Sequence, residues 1–241
     1  CHCPVQRLLT FRAMNYVIPP SPVPSLPVAG SNARFPVRRI FCIGRNYAEH
    51  AREMGATVEK DAPLFFCKPA DALVTDGADV PFPQATSDLH HEVEMVVALG
   101  DGGRDLSPEQ AASRIWGYGV GLDLTRRDLQ AVAKAKSHPW DVAKAFDHSA
   151  PVSALMPADV ATVAPGTVLR LDVNGTLRQH ATLGEMVHGV PEILAALSRL
   201  FELKAGDLVF TGTPSGVAAL QRGDRFRAEL TGVAVLEGRI V

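Results

Sequence analysis

Between Leu89 and Leu99 the chain reads "LHHEVEMVVAL": two histidines and two glutamates lead into an unbroken apolar stretch. A short apolar run of this kind reads as a buried β-strand. Residues two apart on a strand point to the same side. Glu92 and Glu94 therefore share a face, which continues into Val96 and Ala98. Two like charges at the doorway of a core are costly unless a cation joins them or one keeps a proton. The alternative is a solvated strand end carrying two surface glutamates.

A third carboxylate stands in "GYGVGLDLTRRDLQ" (117–130). Asp123 lies late in a strand-like run, between Leu122 and Leu124, directly before a helix start. It could cap that helix, but Thr125 holds the position, and Thr125-Arg126-Arg127-Asp128 reads as a capping box. Three carboxylates from two strands make a hard-oxygen site suited to Mg²⁺ or Mn²⁺, with water and substrate filling the other positions. His90 and His91 would suit a softer metal and are read as supporting hydrogen-bond donors or plain loop residues.

Further strand-like runs fall at 39–43, 64–67, 167–173, 207–211, 225–230 and 233–241. Asn174-Gly175 between two of them is a strong hairpin signal. Helices are fewer: one over 108–114 behind a Ser107–Gln110 capping box, one through "RRDLQAVAKAK", and one from Pro191. Strands dominate without regular alternation with helices, which excludes a doubly wound α/β pattern. Residues 15–37 are rich in proline and are expected to lie as an extended arm over the surface. The expected organisation is an N-terminal extension and arm over 1–37 and a catalytic domain over 38–241.

A chain of 241 residues that is 46% hydrophobic can bury a substantial core. Its net charge of −2 argues against nucleic acid as partner, and no apolar run is long enough to span a bilayer. Cys42 and Cys67 sit inside strand-like runs and no C-x-x-C pair occurs, which suits reduced thiols in a cytoplasmic protein. Cys1-His2-Cys3 lacks the second ligand pair of a structural zinc and is read as incidental. The first residues do not follow a secretory signal pattern, and Met14 is the expected natural start.

"IGRNYAEHAREMG" (43–55), "PLFFCKP" (63–69), "HPWDVAKAFDHSAPV" (138–152), "VNGTLRQ" (173–179) and "LKAGDLVFTGTPSGV" (203–217) accompany the two carboxylate motifs in order. Together they resemble the catalytic domain of the fumarylacetoacetate hydrolase family, from about residue 38 to 241. They are nearest to its small bacterial acylpyruvate hydrolases, fumarylpyruvate hydrolase above all. The resemblance implies an α+β, β-dominated fold, a mixed β-sandwich or roll with a few short helices, assembled as a homodimer. It also implies one divalent ion per active site, Mg²⁺ or Mn²⁺ with Ca²⁺ able to substitute in vitro, held by Glu92, Glu94 and Asp123. The implied activity is hydrolysis of a carbon–carbon bond in 2,4-dioxo acids.

His50 and Glu53, three apart on a short helix, share a face and can pair as a base and its orienter, or stand as an exposed surface pair. The resemblance assigns them to water activation. The stretch 55–62 is expected to close as a lid over bound substrate. Lys144 matches the family lysine near metal and substrate, while Lys68 fits a structural ion pair about as well. Arg45, Arg127 and Gln130 fall in matching motifs and are expected at the cavity. "TGTPSG" (211–216) is either a plain turn or a carboxylate cradle built from backbone N–H groups and the Thr213 hydroxyl. The family glycine after this motif is Ala218 here.

Arg126, where many relatives carry alanine, is expected either to pair with a distal substrate carboxylate or to face solvent. The first reading favours fumarylpyruvate, cleaved to fumarate and pyruvate in gentisate-type aromatic catabolism. Rival readings are a general acylpyruvase, an oxaloacetate decarboxylase or a maleylpyruvate hydrolase on the same site. A non-enzymatic β-sandwich module with structural Ca²⁺ is a further rival, but it leaves His50, Glu53 and Lys144 without a shared purpose.

Overall fold

The Val93–Leu99 strand is buried along its whole length, which is why its sequence shows no polar alternation. It lies inside a six-stranded mixed sheet in the order Met156–Pro157, Ile115–Leu122, Val93–Leu99, Asp207–Phe210, Arg39–Gly44, Leu64–Lys68. Asp207–Phe210 runs parallel to Arg39–Gly44 and antiparallel to Val93–Leu99. The structure is a computed structural model and describes residues 15–53, 55 and 63–241. The expected lid at 55–62, Gly55 apart, lies outside those residues, as do Cys1 to Met14.

A second sheet is antiparallel and joins two hairpins, in the order Thr176–Thr182, Val168–Val173, Arg225–Leu230 and Ala234–Arg239. Its strands alternate buried and part-exposed residues, so one face meets water. The other face brings Leu169, Leu171, Ala228 and Leu230 against Met95 and Val97 of the first sheet. The result is the expected β-dominated sandwich. Asn174 and Gly175, both at positive φ (52° and 74°), form the predicted hairpin turn.

The opposite face of the six-stranded sheet, with Ile40, Val96, Ala98 and Phe210, packs against the N-terminal segment. Residues 15–23 are exposed, but Ser25–Pro27 and Arg34–Pro36 pair as a two-stranded ribbon. Leu26, Val28, Phe35 and Val37 are buried. This corrects the picture of an arm lying wholly on the surface: prolines occupy ribbon positions where no further strand needs their N–H, and the apolar residues between them close the core.

The Ser107–Gln110 capping box forms. The one expected at Thr125–Asp128 does not, because Thr125 and Arg126 are taken into a short strand beside Leu89–His90. Asp128 instead accepts from Thr86 Oγ1 at 2.6 Å and from the Leu129 amide. Among the described residues no helix is long and apolar enough to cross a membrane.

Candidate functional site

Strand pairing assembles the carboxylates. Val93 faces Leu122 and Glu94 faces Gly121, and the Asp123 amide donates to the Glu92 carbonyl at 2.8 Å. Directly opposed residues of antiparallel strands share a face, so Glu92, Glu94 and Asp123 converge. One oxygen from each lies within 4.8 Å of the others, and all three residues are buried. Gly121, opposite Glu94, lets the Phe210 ring pack against the strand: a Cβ there would meet that ring at 2.9 Å.

Cations surround the cluster unevenly. The Lys144 ammonium is 2.7 Å from Glu92 Oε2 and 2.6 Å from Asp123 Oδ2, and Arg127 reaches Glu92 Oε1 at 2.5 Å. Fully buried Lys68 stands 2.8 Å from Asp123 Oδ1 and donates to the Leu124 and Lys144 carbonyls. Among the described residues Glu94 has only the Gly212 amide, at 2.6 Å. Burial pushes the Glu94 carboxyl well up, and Asp123 and Glu92 add to the rise. Burial also acts to raise Glu92, but Lys144 and Arg127 outweigh it and hold that carboxyl well below the usual range.

The residues fit a divalent ion. Glu94 is a buried carboxyl without a positive partner among the described residues, and Asp123 Oδ1 lacks an aligned hydrogen-bond donor despite the nearby Lys68. Three hard oxygens with two such unsatisfied positions match Mg²⁺ or Mn²⁺ chemistry. Neither histidine competes: His90 pairs with Asp88 at 2.8 Å and His91 with Gln179 at 2.9 Å.

The carboxylates open into a cavity whose walls include Arg45, His50, Arg127, Gln130 and Thr213. His50 is buried on the Ala48–Glu53 helix, with Nδ1 3.3 Å from Glu53 Oε2. Burial lowers its pKa and keeps the ring neutral near pH 7. Arg126 is a correction. Its guanidinium lies 4.4 Å from the Phe146 ring centroid and donates to the Val142 carbonyl, and it does not line the cavity. A strand position just before a helix turns the side chain towards an aromatic neighbour, where it is worth more than in water.

The 211–216 turn also differs from a cradle made of free N–H groups. The Gly212 amide is used by Glu94, and the Gly216 amide donates to Glu53 Oε1 at 3.2 Å. Both glycines have positive φ, and a Cβ would fall 2.6 Å from Asn46 Cβ at Gly212 and 2.1 Å from the Arg178 carbonyl at Gly216. Thr213 alone turns a polar side chain from this motif into the cavity. Ala218 keeps negative φ, and its carbonyl accepts from the His91 amide at 3.2 Å.

Four residues of this region were not singled out by sequence. Gln179 donates to Thr213 Oγ1 and the Pro214 carbonyl, both at 2.8 Å, and accepts from the Val93 amide at 3.1 Å. It thus ties the turn to the backbone between Glu92 and Glu94. Asn46 bridges the Thr211 and His188 carbonyls, fixing the start of the His50 helix. Lys134 and Trp140 join the cavity wall. The available signal for Gln179 was an amide at an inward position of an amphipathic strand; the others gave none.

A family model described as fumarylacetoacetate (FAA) hydrolase C-terminal matches residues 39–241. Among solved structures, the chain is similar to fumarylpyruvate hydrolase from Pseudomonas aeruginosa in complex with Mn²⁺ and pyruvate. Identity is 45% and the TM-score 0.91, covering 94% of this chain and 99% of that one. It is 43% identical over 204 residues to oxaloacetate tautomerase YcgM of Escherichia coli (strain K12), covering 84% of this chain and 93% of the relative. The mitochondrial oxaloacetate decarboxylase of Dictyostelium discoideum is 38% identical over 197 residues, covering 81% and 90%. With its β-sandwich, its buried carboxylate triad and these matches, the chain belongs to the fumarylacetoacetate hydrolase family.

Proposed function

We propose that this protein is a divalent-metal-dependent hydrolase that cleaves a carbon–carbon bond in 2,4-dioxo acids, with fumarylpyruvate as first substrate and fumarate and pyruvate as products. The observation that carries the reading is the pairing of His50 with Glu53: His50 is buried and lines the same cavity as the carboxylate triad, and the partly exposed Glu53 holds its Nδ1. Hydrolysis requires a base for water, and a neutral imidazole held by a carboxylate is such a base. With Nδ1 donating to Glu53, Nε2 is left to take the proton from water.

Glu92, Glu94 and Asp123 would hold Mg²⁺ or Mn²⁺. When bound, the ion supplies chelation of the 2-oxo acid end and stabilisation of negative charge on the departing pyruvate. Lys144, hydrogen-bonded to Glu92 and Asp123, supports that charge and returns a proton to the leaving carbon. Arg127 and Gln130 are hydrogen-bonded to each other at 2.7 Å and form one wall for the substrate. Thr213 Oγ1 accepts from Gln179, so its own hydrogen is free to donate to the keto acid's carboxylate. A cytoplasmic homodimer completes the proposal, with the free thiols of Cys42 and Cys67 in support of the location.

The second reading is oxaloacetate tautomerisation or decarboxylation on the same site, favoured by the activities named for the two curated relatives. The two separate in one experiment. Fumarylpyruvate, maleylpyruvate, acetylpyruvate and oxaloacetate are assayed side by side with Mn²⁺, with and without chelator, on wild type and Glu53→Gln. The hydrolase reading expects turnover of fumarylpyruvate that chelator abolishes and Glu53→Gln lowers by about 10²- to 10⁴-fold. Turnover of oxaloacetate alone, insensitive to Glu53→Gln, overturns it.

A further inference from the structure

The Arg127–Ala135 helix lays a polar stripe along one wall of the cavity. Arg127, Gln130 and Lys134 stand at i, i+3 and i+7, a single helix face, and all three line the cavity. Arg127 is engaged by Glu92 and Gln130. Lys134 is not: among the described residues, no carboxylate lies within ion-pair distance of Lys134 or of Arg45 across from it, whereas Arg127 and Lys144 are both paired. Arg45, Arg127, Lys134 and Lys144 therefore outnumber Glu92, Glu94 and Asp123 on the cavity lining, before any metal ion is counted.

The surroundings hold this excess charge in place. The Lys134 ammonium is 5.3 Å from the Trp140 ring centroid, and Trp140 in turn packs against Phe66 at 6.0 Å. Arg45 has a φ of 61°, an uncommon conformation for a residue other than glycine. Partial burial lowers the pKa of Lys134, and the like charges of Arg127 and Arg45 lower it further. Lys134 and Arg45 stand near Arg127 without a carboxylate partner of their own among the described residues, which is unfavourable, and an anionic ligand relieves it.

Seven residues of helix advance about 10 Å at 1.5 Å each, so the backbone of Lys134 lies at the other end of the wall from Arg127, which touches Glu92. A keto acid anchored by its 2-oxo acid end at the carboxylate triad can offer Lys134 an anion only through a second carboxylate on its acyl tail. Acetylpyruvate has no second carboxylate to offer.

We propose that Lys134, seated on Trp140 and flanked by Arg45, binds the far carboxylate of a dicarboxylate substrate and sets the preference for fumaryl over acetyl tails. This rests on the hydrolase reading above and names the substrate class of that site. The test compares KM and kcat for fumarylpyruvate and acetylpyruvate on the Mn²⁺-loaded wild type, Lys134→Met and Lys134→Arg. Lys134→Met is expected to raise KM for fumarylpyruvate about tenfold or more, the worth of one charge-assisted hydrogen bond. Its kcat should change by less than about twofold, KM for acetylpyruvate should stay put, and Lys134→Arg should recover most of the loss. A parallel rise in both KM values, or no change in either, overturns the proposal. If the wild type cleaves neither compound, the hydrolase reading fails separately, and calorimetry with fumarate and acetate decides on Lys134. Fumarate must then bind wild type at least tenfold more tightly than Lys134→Met, with acetate indifferent; equal or absent fumarate binding overturns it.

Discussion

Replacing Glu94 by glutamine should change stability in opposite directions with and without a divalent ion. Glu94 is 2% exposed, accepts one amide hydrogen bond, and faces Glu92 and Asp123. Burial first, then those two like charges, raises its pKa above the ordinary 4.5. A raised folded pKa means that the protonated form is the one the fold favours. That contribution is full below pH 4.5 and is lost as pH rises through the folded value. Near pH 7.5 the carboxylate is therefore a liability, and the uncharged isostere removes about 1–3 kcal/mol of uncompensated burial. In a chain of this size each kcal/mol moves Tm by about 2–4 °C, so metal-free Glu94→Gln should melt several degrees above wild type at pH 7.5. At pH 4 the two should coincide. Mn²⁺ inverts the order. At a concentration about 100 times Kd the wild type gains about 2.7 kcal/mol, roughly 5–10 °C, while the variant has lost one of three anionic ligands and should respond little. Differential scanning fluorimetry with and without Mn²⁺ at both pH values checks all of this. A variant that melts lower than wild type without metal and still shows the full Mn²⁺ shift would refute the assignment of Glu94 as a ligand held for a cation.

Two further expectations follow from the same geometry. Gln179→Leu leaves the Val93 amide, Thr213 Oγ1 and the Pro214 carbonyl without their buried partner; it should cost about 2–4 kcal/mol in urea unfolding at 1–3 kcal/mol per orphaned group with partial relaxation and raise KM for the keto acid more than it lowers kcat. Because burial lowers the His50 pKa, the neutral base persists as pH falls past 6.5, so log kcat/KM should stay level through 6.5 and decline only below it; an acid limb centred above 6.5 would remove His50 as the base.

Much of the site was legible as local pattern. The two-residue period put Glu92 and Glu94 on one face, and the Asp123 position between two leucines marked a carboxylate that solvent does not explain. Capping at Ser107 and the Asn174-Gly175 turn were equally readable, because each involves groups only a few residues apart. The Thr125 box failed for a non-local reason: pairing of Thr125–Arg126 with Leu89–His90 outcompeted a weak local signal. Arg126 failed likewise, since sequence places it beside Arg127 but does not say that Phe146 lies within 4.4 Å.

By itself, then, the order of residues determined the strands, the carboxylate face, the His50–Glu53 spacing and the family. Only the tertiary structure decided what stands across from each group. Gln179 meets Thr213 across 34 residues and Asn46 meets Thr211 across 165, and Lys134 on its helix shares a cavity with Arg45, which follows the Arg39–Gly44 strand. Periodicity tells which way a side chain points. Which charge or hydrogen-bond partner it meets is set by the packing of two sheets, and that depends on the whole chain at once.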